Sequence, residues 1–411
     1  MTVLNPAPNT DDLQVKKHAS LIVHSPTENN PVVDSAEYIL EATNVVDINP
    51  SGVKSAARYI HRKLLSESYV PRTWRTHPLH ICPPEPYAPS DPQTKLFFDW
   101  IFLISSLNFS FWSEKEGRPD RFGIYWRKGW NSNTYVTHTG YWSLVAAIDR
   151  ALEDGIPFVE PSFYASEETC SVSLVEHIFR PSPKCSEKIP LLKERVKILR
   201  ENGSILNKKY GGSFLNFFEE FQRTYKGRGT ALQLVKAVTE TFPSFRDESY
   251  CEGRKVYIWK RAQILVAEMW AAFYPPSSSM PHPLFPAGPQ IYQLTMFADY
   301  RVPQILHHLR ILTYPSSLVK ALKSHTYFET GSREELSIRA ASIVSVERVR
   351  EEMLKLVAEH GGRSSEEDIS SVLIDFYLWD LAKKLETGEE HIEGIETDEV
   401  LPAHRTRSIW Y

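Results

Sequence analysis

The sequence contains only four cysteines among 411 residues, and none of them belongs to a recognisable motif. Cys82, Cys170, Cys185 and Cys251 lie far apart and form no C-x-x-C pair, which argues against a disulfide framework. The first residues contain no apolar core of a secretory signal. We therefore expect ordinary thiols in a reduced, cytoplasmic setting, with the nucleus as the alternative compartment.

Long apolar runs and an excess of basic residues are missing as well. The apolar run at residues 97–107 is shorter than the roughly 18 residues that a transmembrane helix requires. The formal net charge is −4 and the isoelectric point is about 6.4, so the chain has no overall positive field of the kind that attracts long nucleic acids. We therefore expect neither a membrane nor a nucleic-acid polymer as a partner, and a small-molecule substrate fits better.

The common signatures of nucleotide, cofactor and metal binding are also missing. The sequence has no P-loop, G-x-G-x-x-G, G-x-S-x-G or H-E-x-x-H motif, and no His-Asp pair of a helical phosphohydrolase. The adjacent His307 and His308 would point about 100° apart on a helix, so they cannot chelate one metal ion together. We expect neither a metal ion nor a cofactor.

What is present is the composition of a globular protein, with 42% hydrophobic and 24% charged residues. The length permits one large domain or two ordinary ones. Residues 1–35 are rich in Pro, Asn, Asp, Thr and Ser, which predicts a disordered leader. No linker is evident after residue 95, so we expect residues 36–411 to form a single domain. Residues 274–289 hold too many prolines for a helix and predict a surface loop.

Apolar residues recur at helical spacing through most of the chain. This pattern predicts helices at residues 35–66, with an interruption near Asn49 and Pro50, and at residues 96–107, 144–152, 190–206, 213–224, 231–241, 257–273, 303–312, 316–324, 333–360 and 366–385. Residues 121–142 instead alternate aromatic and polar side chains around a glycine-containing turn, which predicts one small β-hairpin. The expected fold class is mainly α.

A carboxylate, a phenol and a guanidinium stand side by side at Asp299, Tyr300 and Arg301, just before a helix that begins near Pro303. The helix macrodipole would favour the ionised form of Asp299, which is the form that stabilises a developing cation. This arrangement is typical of an active-site corner. The alternative is that Asp299 only caps the helix and forms an ion pair with Arg301.

Residues 108–112 combine an amide with three aromatic rings at the end of an apolar helix. Asn108 provides the amide, and Phe109, Phe111 and Trp112 provide the rings. This composition suits a planar heterocycle that is stacked between rings and hydrogen-bonded at its edge. Core packing is the alternative interpretation.

Charged residues also interrupt two other apolar helical segments. Lys260 and Arg261 are adjacent cations, and a phosphate would serve as a partner for one of them. Asp375 and Asp380 lie on a strongly aromatic segment, where a carboxylate could accept the N–H groups of a guanine-like edge. For both pairs, a solvated helix face is the alternative.

Taken together, these segments resemble the queuosine salvage family, the queuosine 5′-phosphate N-glycosylase/hydrolases. The resemblance extends from about residue 55 to the end, and it is specific because separate blocks occur in the right order. The blocks are residues 107–112, 140–144, 260–267, 296–304, 375–380 and 404–407. The resemblance implies a mainly helical fold similar to the helix-hairpin-helix DNA glycosylases. It also implies release of the 7-deazaguanine base queuine from queuosine 5′-monophosphate, which leaves ribose 5-phosphate.

The resemblance implies roles for individual residues as well. Asp299 matches the catalytic aspartate, and Lys260 matches a lysine near the 5′-phosphate. The residues expected to assist at the phosphate are Arg261, Arg301 and Arg405. The residues expected to bind the base and ribose are Asn108, Phe109, Phe111, Trp112, Phe297, Tyr300, Asp375, Asp380 and His77. We expect a monomer, in which the loop at residues 274–289 is an insertion that leaves both flanking motifs unchanged.

Two other functions remain open. A non-catalytic carrier would bind queuine or a nucleotide in the same pocket without hydrolysing it. A DNA-repair glycosylase would cleave damaged duplexes. The lack of net basic charge and of a Gly-rich hairpin before Asp299 argues against duplex DNA as the substrate.

Overall fold

The computed structural model describes residues 29–277, 279–359 and 369–411. Within these ranges helices dominate, which confirms the predicted mainly α class. The helices are α1 (Pro31–Thr43), α2 (Pro50–Ser66), α3 (Pro92–Leu107), α4 (Tyr141–Glu153), α5 (Pro161–Tyr164), α6 (Val172–Ile178), α7 (Leu192–Lys209), α8 (Phe214–Thr224), α9 (Ala231–Thr241), α10 (Lys260–Ala272), α11 (Val302–His308), α12 (Ser316–Lys323), α13 (Arg333–Glu359) and α14 (Ser371–Thr387). The strands are β1 (Asp47–Ile48), β2 (Gly123–Arg127), β3 (Tyr135–Thr139), β4 (Glu248–Cys251), β5 (Arg254–Tyr257) and β6 (Leu312–Thr313).

The first three helices begin in the same way, with an Asn or Asp cap followed by proline. The side chains of Asn30, Asn49 and Asp91 accept the backbone N–H two residues further on, at 3.0, 3.1 and 2.8 Å. Each cap satisfies one N–H that has no partner inside the helix, and the following proline has no N–H to satisfy. The sequence therefore defines these helix starts locally.

Three helices contain the longest buried stretches of the core. Every residue of α3 from Phe97 to Leu107 is buried, as is every residue of α10 except Ile264. In α13 the buried stretch runs from Glu335 to Val346. Helix α3 packs against α4, α7, α8 and α10, whereas α13 packs against α1, α2, α11 and α14. Charged residues on such helices need partners inside the protein.

The predicted hairpin at residues 121–142 is confirmed as the antiparallel pair β2 and β3. A second hairpin, β4 and β5, is not predicted. Its two-residue turn consists of Glu252 and Gly253, both with positive φ, at 46° and 80°. The remaining pair joins β1 to β6, with Asp47 opposite Thr313.

Several predicted boundaries are wrong. Helix α1 begins at Pro31, so the leader predicted at residues 1–35 is wrong for its last residues, and residues 1–28 lie outside the described ranges. Helix α10 begins at Lys260 rather than at 257, because residue 257 ends β5. Helix α11 ends at His308, and residue 312 pairs in β6 instead. The short helices α5 and α6 are not predicted. Residues 360 and 366–368, predicted as helical, lie outside the described ranges.

Residues 274–277 and 279–289 contain no helix or strand, which confirms the predicted loop for its described part. No helix in the described ranges is both long enough and apolar enough to span a membrane. The single domain and the likeness to helix-hairpin-helix glycosylases stay predictions.

Candidate active site

A cavity of about 270 Å³ lies where the start of α10, the segment before α11 and the middle of α14 meet. Most of the residues predicted for the site line this cavity. They are His77, Asn108, Phe111, Lys260, Phe297, Asp299, Tyr300, Arg301, Asp375 and Asp380. The structure therefore brings together segments that are up to about 300 positions apart in the chain.

Lys260 is the first residue of α10, and its side chain is buried. Its Nζ donates a hydrogen bond to the carbonyl of Asn108 at 3.4 Å. Burial lowers the pKa of Lys260 to about 8, and the negative charges of Asp299 and Asp375 oppose that shift. The amine is therefore mostly protonated at pH 7 and lies within electrostatic range of Asp299.

Asp299 lies just before the start of α11, as the sequence predicts, and Arg301 is the residue at the N-cap position. Its Oδ1 accepts the backbone N–H groups of Arg301 at 2.8 Å and of Val302 at 2.9 Å. Its Oδ2 has no hydrogen bond with any described residue, and the side chain is only half-buried. One oxygen is thus fixed by the backbone, and the other is available to a ligand.

Arg301 is not the ion-pair partner of Asp299. Its guanidinium lies 3.1 Å from a carboxylate oxygen of Glu386 and 3.9 Å from one of Glu116. Although burial raises it, the pKa of Glu386 is lowered to about 2 by the positive charges of Arg301 and Lys383. Arg301 lines the cavity, but these carboxylates already neutralise much of its charge.

Asp375 connects α14 to the segment that precedes Asp299. Its Oδ1 accepts the backbone N–H of Phe297 at 3.0 Å. Burial, and then the negative charge of Asp299, raise the pKa of Asp375 well above its usual range. A protonated carboxyl can donate a hydrogen bond as well as accept one. Further along α14, burial also raises the pKa of Asp380, which accepts the hydroxyl of Tyr69 at 2.6 Å.

Stacked rings form one wall of the cavity. The rings of His77 and Trp142 are nearly parallel, at 4°, with centroids 3.5 Å apart. The rings of Trp74 and His80 stack at 3.8 Å, and Trp379 meets Trp142 edge-on at 5.7 Å. Burial lowers the pKa of His77 to about 4, so this ring is neutral at pH 7. These flat surfaces suit a planar base.

Glu268 also lines the cavity and is not among the predicted residues. Its Oε1 accepts hydrogen bonds from Trp74 and Tyr141, and burial raises the pKa of Glu268 to about 7. The sequence signal that could have identified Glu268 is its spacing, because Ile264 and Glu268 follow Lys260 at i+4 and i+8 along one side of α10. Both of them line the same cavity.

Two of the predicted residues, Phe109 and Arg261, lie near the C-terminal end of α3 and do not line the cavity. The guanidinium of Arg261 is buried, donates to the backbone carbonyls of Ser106 and Ser244, and does not line the cavity. Phe109 packs under the guanidinium of Arg195, with the carbon of that group 4.2 Å from the ring centroid. Both residues stabilise the core in which α3 and α10 meet.

Two further predicted residues, Trp112 and Arg405, contact or belong to the C-terminal tail and do not line the cavity either. The indole of Trp112 donates to the carbonyl of Thr406 at 2.9 Å. Arg405 forms an ion pair with Glu114 at 2.7 Å. Trp112 and Arg405 line a neighbouring cavity of about 480 Å³.

The described residues include no group of three or more His, Cys, Asp or Glu side chains that could hold a metal ion. Besides Arg301, the charged groups at the cavity are instead several carboxyls, the amine of Lys383, which pairs with Glu386 at 2.8 Å, and the amine of Lys260. This set can bind an anion at the amine and stabilise a cation at an ionised carboxylate.

Known proteins resemble this chain over most of its length. A family model described as queuosine salvage protein matches residues 87–411. A Schizosaccharomyces pombe protein named queuosine 5′-phosphate N-glycosylase/hydrolase is 37% identical over 388 residues, which cover 92% of this chain and 99% of that protein. A protein of the same name from Mus musculus is 36% identical, with 92% and 98% covered. One from Sphaerobacter thermophilus is 35% identical, with 76% and 81% covered. This chain therefore belongs to the queuosine salvage protein family.

Proposed function

We propose that this chain hydrolyses the N-glycosidic bond of queuosine 5′-monophosphate and releases queuine and ribose 5-phosphate, in salvage of queuine for tRNA modification. The observation that carries the proposal is the meeting of Asp299 and buried Lys260 in one cavity walled by stacked rings. The names of relatives that match 92% of the chain support the same reaction.

Asp299 acts on the sugar. Cleavage of a ribosyl N–C bond builds positive charge on the anomeric carbon and the ring oxygen, while electrons flow into the departing base. The carboxylate stabilises this cation electrostatically or by brief covalent capture, and it orients or deprotonates the attacking water. The backbone N–H groups of Arg301 and Val302 donate to one oxygen of this carboxylate and hold it in place.

Lys260 binds the 5′-phosphate. Its charge has no salt-bridge partner among the described residues, whereas the charge of Arg301 is shared with Glu386 and Glu116. Binding a phosphate away from the scissile bond supplies energy for orientation. The nucleoside without phosphate is therefore a poorer substrate.

The base lies between the rings. His77 and Trp142 provide a stacked surface, and Phe297 and Tyr300 lie at the reacting end. Asp375 and Asp380 meet the polar edge of the base, because both are carboxyls of α14 that line the cavity. A protonated Asp375 adds a donor that an ionised carboxylate lacks.

We also infer that the protein acts on a small molecule as a monomer in the cytoplasm, without a cofactor or a nucleic-acid partner. Light scattering of the purified protein measures the oligomeric state. A dimer would contradict this inference without affecting the proposed reaction.

Incubation of the purified protein with queuosine 5′-monophosphate tests the reaction. Liquid chromatography should detect free queuine, and mass spectrometry should detect ribose 5-phosphate in equal amount. Binding of the nucleotide without release of the base would instead identify a carrier. Cleavage of a damaged DNA duplex, with queuosine 5′-monophosphate left intact, would identify a repair glycosylase.

A further inference from the structure

Glu268 has an unpaired carboxylate oxygen in the candidate active site. Its side chain is buried and lines the cavity. Its Oε1 accepts hydrogen bonds from the indole of Trp74 at 3.4 Å and from the hydroxyl of Tyr141 at 3.2 Å. Its Oε2 is buried and has no hydrogen-bond partner among the described residues. A buried polar atom without a partner costs free energy, so a donor on a ligand would stabilise this site.

Glu268 and Lys260 line the same cavity from different turns of α10. The two residues are eight positions apart on α10 (268 minus 260), which corresponds to about 12 Å along the helix axis at 1.5 Å per residue. Ile264 lies midway and lines the same cavity. The Lys260 end also contains Asp299, whose charge acts on the amine. A nucleotide extended along α10 with its phosphate toward Lys260 therefore directs its base toward Glu268.

Flat rings surround the Glu268 end. Trp74 stacks on His80 at 3.8 Å, and Tyr141 meets Trp142 edge-on at 4.9 Å. Burial raises the pKa of Glu268, and the hydrogen bonds from Trp74 and Tyr141 and the positive charge of Lys260 only partly oppose that effect. A carboxylate among aromatic rings is an arrangement that binds N–H groups of planar or cationic ligands.

We propose that Glu268 is a specificity-determining residue whose free Oε2 accepts an N–H group of the substrate base. The identity of that base rests on the proposed function. Queuine offers N–H donors at two places, the guanine-like edge of its ring system and the amine of its side chain. Glu268 selects for bases that carry such a donor, because a base without one leaves Oε2 unpaired.

Steady-state kinetics of Glu268→Gln test this role. Glutamine keeps the size of the side chain and an acceptor for Trp74 and Tyr141, but it is neutral. With queuosine 5′-monophosphate, kcat/KM should fall roughly 10- to 100-fold, the range for losing one charge-assisted hydrogen bond. Free queuine should inhibit the variant correspondingly less. Ribose 5-phosphate should inhibit the variant and the wild type equally, because it occupies only the Lys260 end.

A second nucleotide distinguishes the two donors. 7-Deazaguanosine 5′-monophosphate has the ring edge but lacks the amine side chain. If Oε2 accepts from the side chain, Glu268→Gln loses activity toward queuosine 5′-monophosphate alone. If Oε2 accepts from the ring edge, the variant loses activity toward both nucleotides. Either result supports Glu268 as the acceptor.

Glu347→Gln is the matched control. Burial also raises the pKa of Glu347 to about 7, but this residue lies on α13 and is not part of the cavity wall. The control should leave kcat/KM unchanged. Wild-type kinetics of Glu268→Gln on both nucleotides would overturn the proposal. Equal weakening of inhibition by queuine and by ribose 5-phosphate would also overturn it, because that result indicates a general structural role.

The proposed reaction can fail without affecting this test. If the wild type does not cleave queuosine 5′-monophosphate, the proposed function is wrong. Calorimetric titration of free queuine into the wild type and Glu268→Gln still measures the Glu268 contact. Equal affinities in that titration would overturn the proposal for Glu268, and weaker binding by the variant would support it.

Discussion

Arg339 and Asp247 form a buried, two-pronged ion pair, with Nη2 at 2.6 Å from Oδ2 and Nη1 at 3.1 Å from Oδ1. The Nε of Arg339 also donates to the carbonyl of Ala298 at 3.0 Å, directly before Asp299. The Oδ2 of Asp247 accepts the backbone N–H of Lys260 at 3.3 Å. One ion pair therefore connects the two segments that carry the proposed carboxylate and amine.

Loss of this ion pair should destabilise the protein strongly. Arg339→Met is expected to lower the free energy of unfolding by about 3–5 kcal/mol, because Asp247 stays buried without its cation. Urea denaturation followed by circular dichroism measures the change. Lys188→Met, which removes the exposed pair with Glu176, is the control and should cost about 0–1 kcal/mol. A similar small loss for Arg339→Met would contradict the prediction.

The charge of Lys260 predicts an alkaline limit to activity. Burial lowers the pKa of this amine to about 8, so it loses its proton as the pH rises through that value. The attraction for a phosphate is then lost, and kcat/KM for queuosine 5′-monophosphate should fall above about pH 8. The nucleoside queuosine is the matched control and should not show this decline. Equal declines for both substrates would argue against a phosphate role for Lys260.

Glu268 predicts a pH-dependent change in stability. Its folded-state pKa is raised to about 7 by burial, so between its ordinary pKa near 4.5 and about 7 the folded protein holds a proton that the unfolded chain has released. The stability contributed by the protonated carboxyl is therefore lost as the pH rises through this window. Glu268→Gln avoids that loss, because glutamine does not ionise.

The unfolding free energy of Glu268→Gln relative to the wild type should thus increase between pH 5 and pH 8. The shift in the pKa of Glu268, from about 4.5 to about 7, sets an upper limit of roughly 3 kcal/mol on this increase. Urea denaturation of both proteins at the two pH values measures it. A difference that stays constant with pH would show that burial does not hold the carboxyl in its protonated form.

Asp375 predicts a contrast between two substitutions. Asp375→Ala removes the acceptor of the Phe297 N–H and should lower the unfolding free energy by about 1–3 kcal/mol, the cost of an unsatisfied buried donor. Asp375→Asn keeps an oxygen in the same place and should cost much less, because the raised pKa of Asp375 already favours its neutral form. Thermal and urea denaturation compare the two variants. Equal losses would contradict the assigned hydrogen bond.

The helices follow from the sequence where local signals agree. Asn30, Asn49 and Asp91 cap helices through their own backbone neighbours, and the apolar spacing after each cap continues the helix. The β4–β5 hairpin is missed because its only strong signal is the short turn at Glu252 and Gly253, between strands with exposed polar residues. Whether such short strands form depends on their tertiary contacts rather than on their local sequence.

The site is predictable in its segments but not in every side chain. Lys260 and Arg261 are adjacent and both cationic, yet only Lys260 reaches the cavity, because Arg261 faces the carbonyls of Ser106 and Ser244. Adjacent residues on a helix point about 100° apart, so which of the two side chains faces the cavity depends on what packs against each face of the helix. The position of Glu268 beside the rings is equally hard to predict, because it depends on the short 3₁₀ helix Pro71–Thr76 that carries Trp74.

The rate of glycosidic cleavage by Asp299→Asn tests the central claim most directly. Asparagine keeps an oxygen that can accept the N–H groups of Arg301 and Val302, so the start of α11 is preserved while the negative charge is lost. We predict retained binding of queuosine 5′-monophosphate and single-turnover cleavage slower by about 100-fold or more, the scale for losing one preorganised electrostatic stabiliser. Cleavage at the wild-type rate by the folded variant would contradict the role of Asp299.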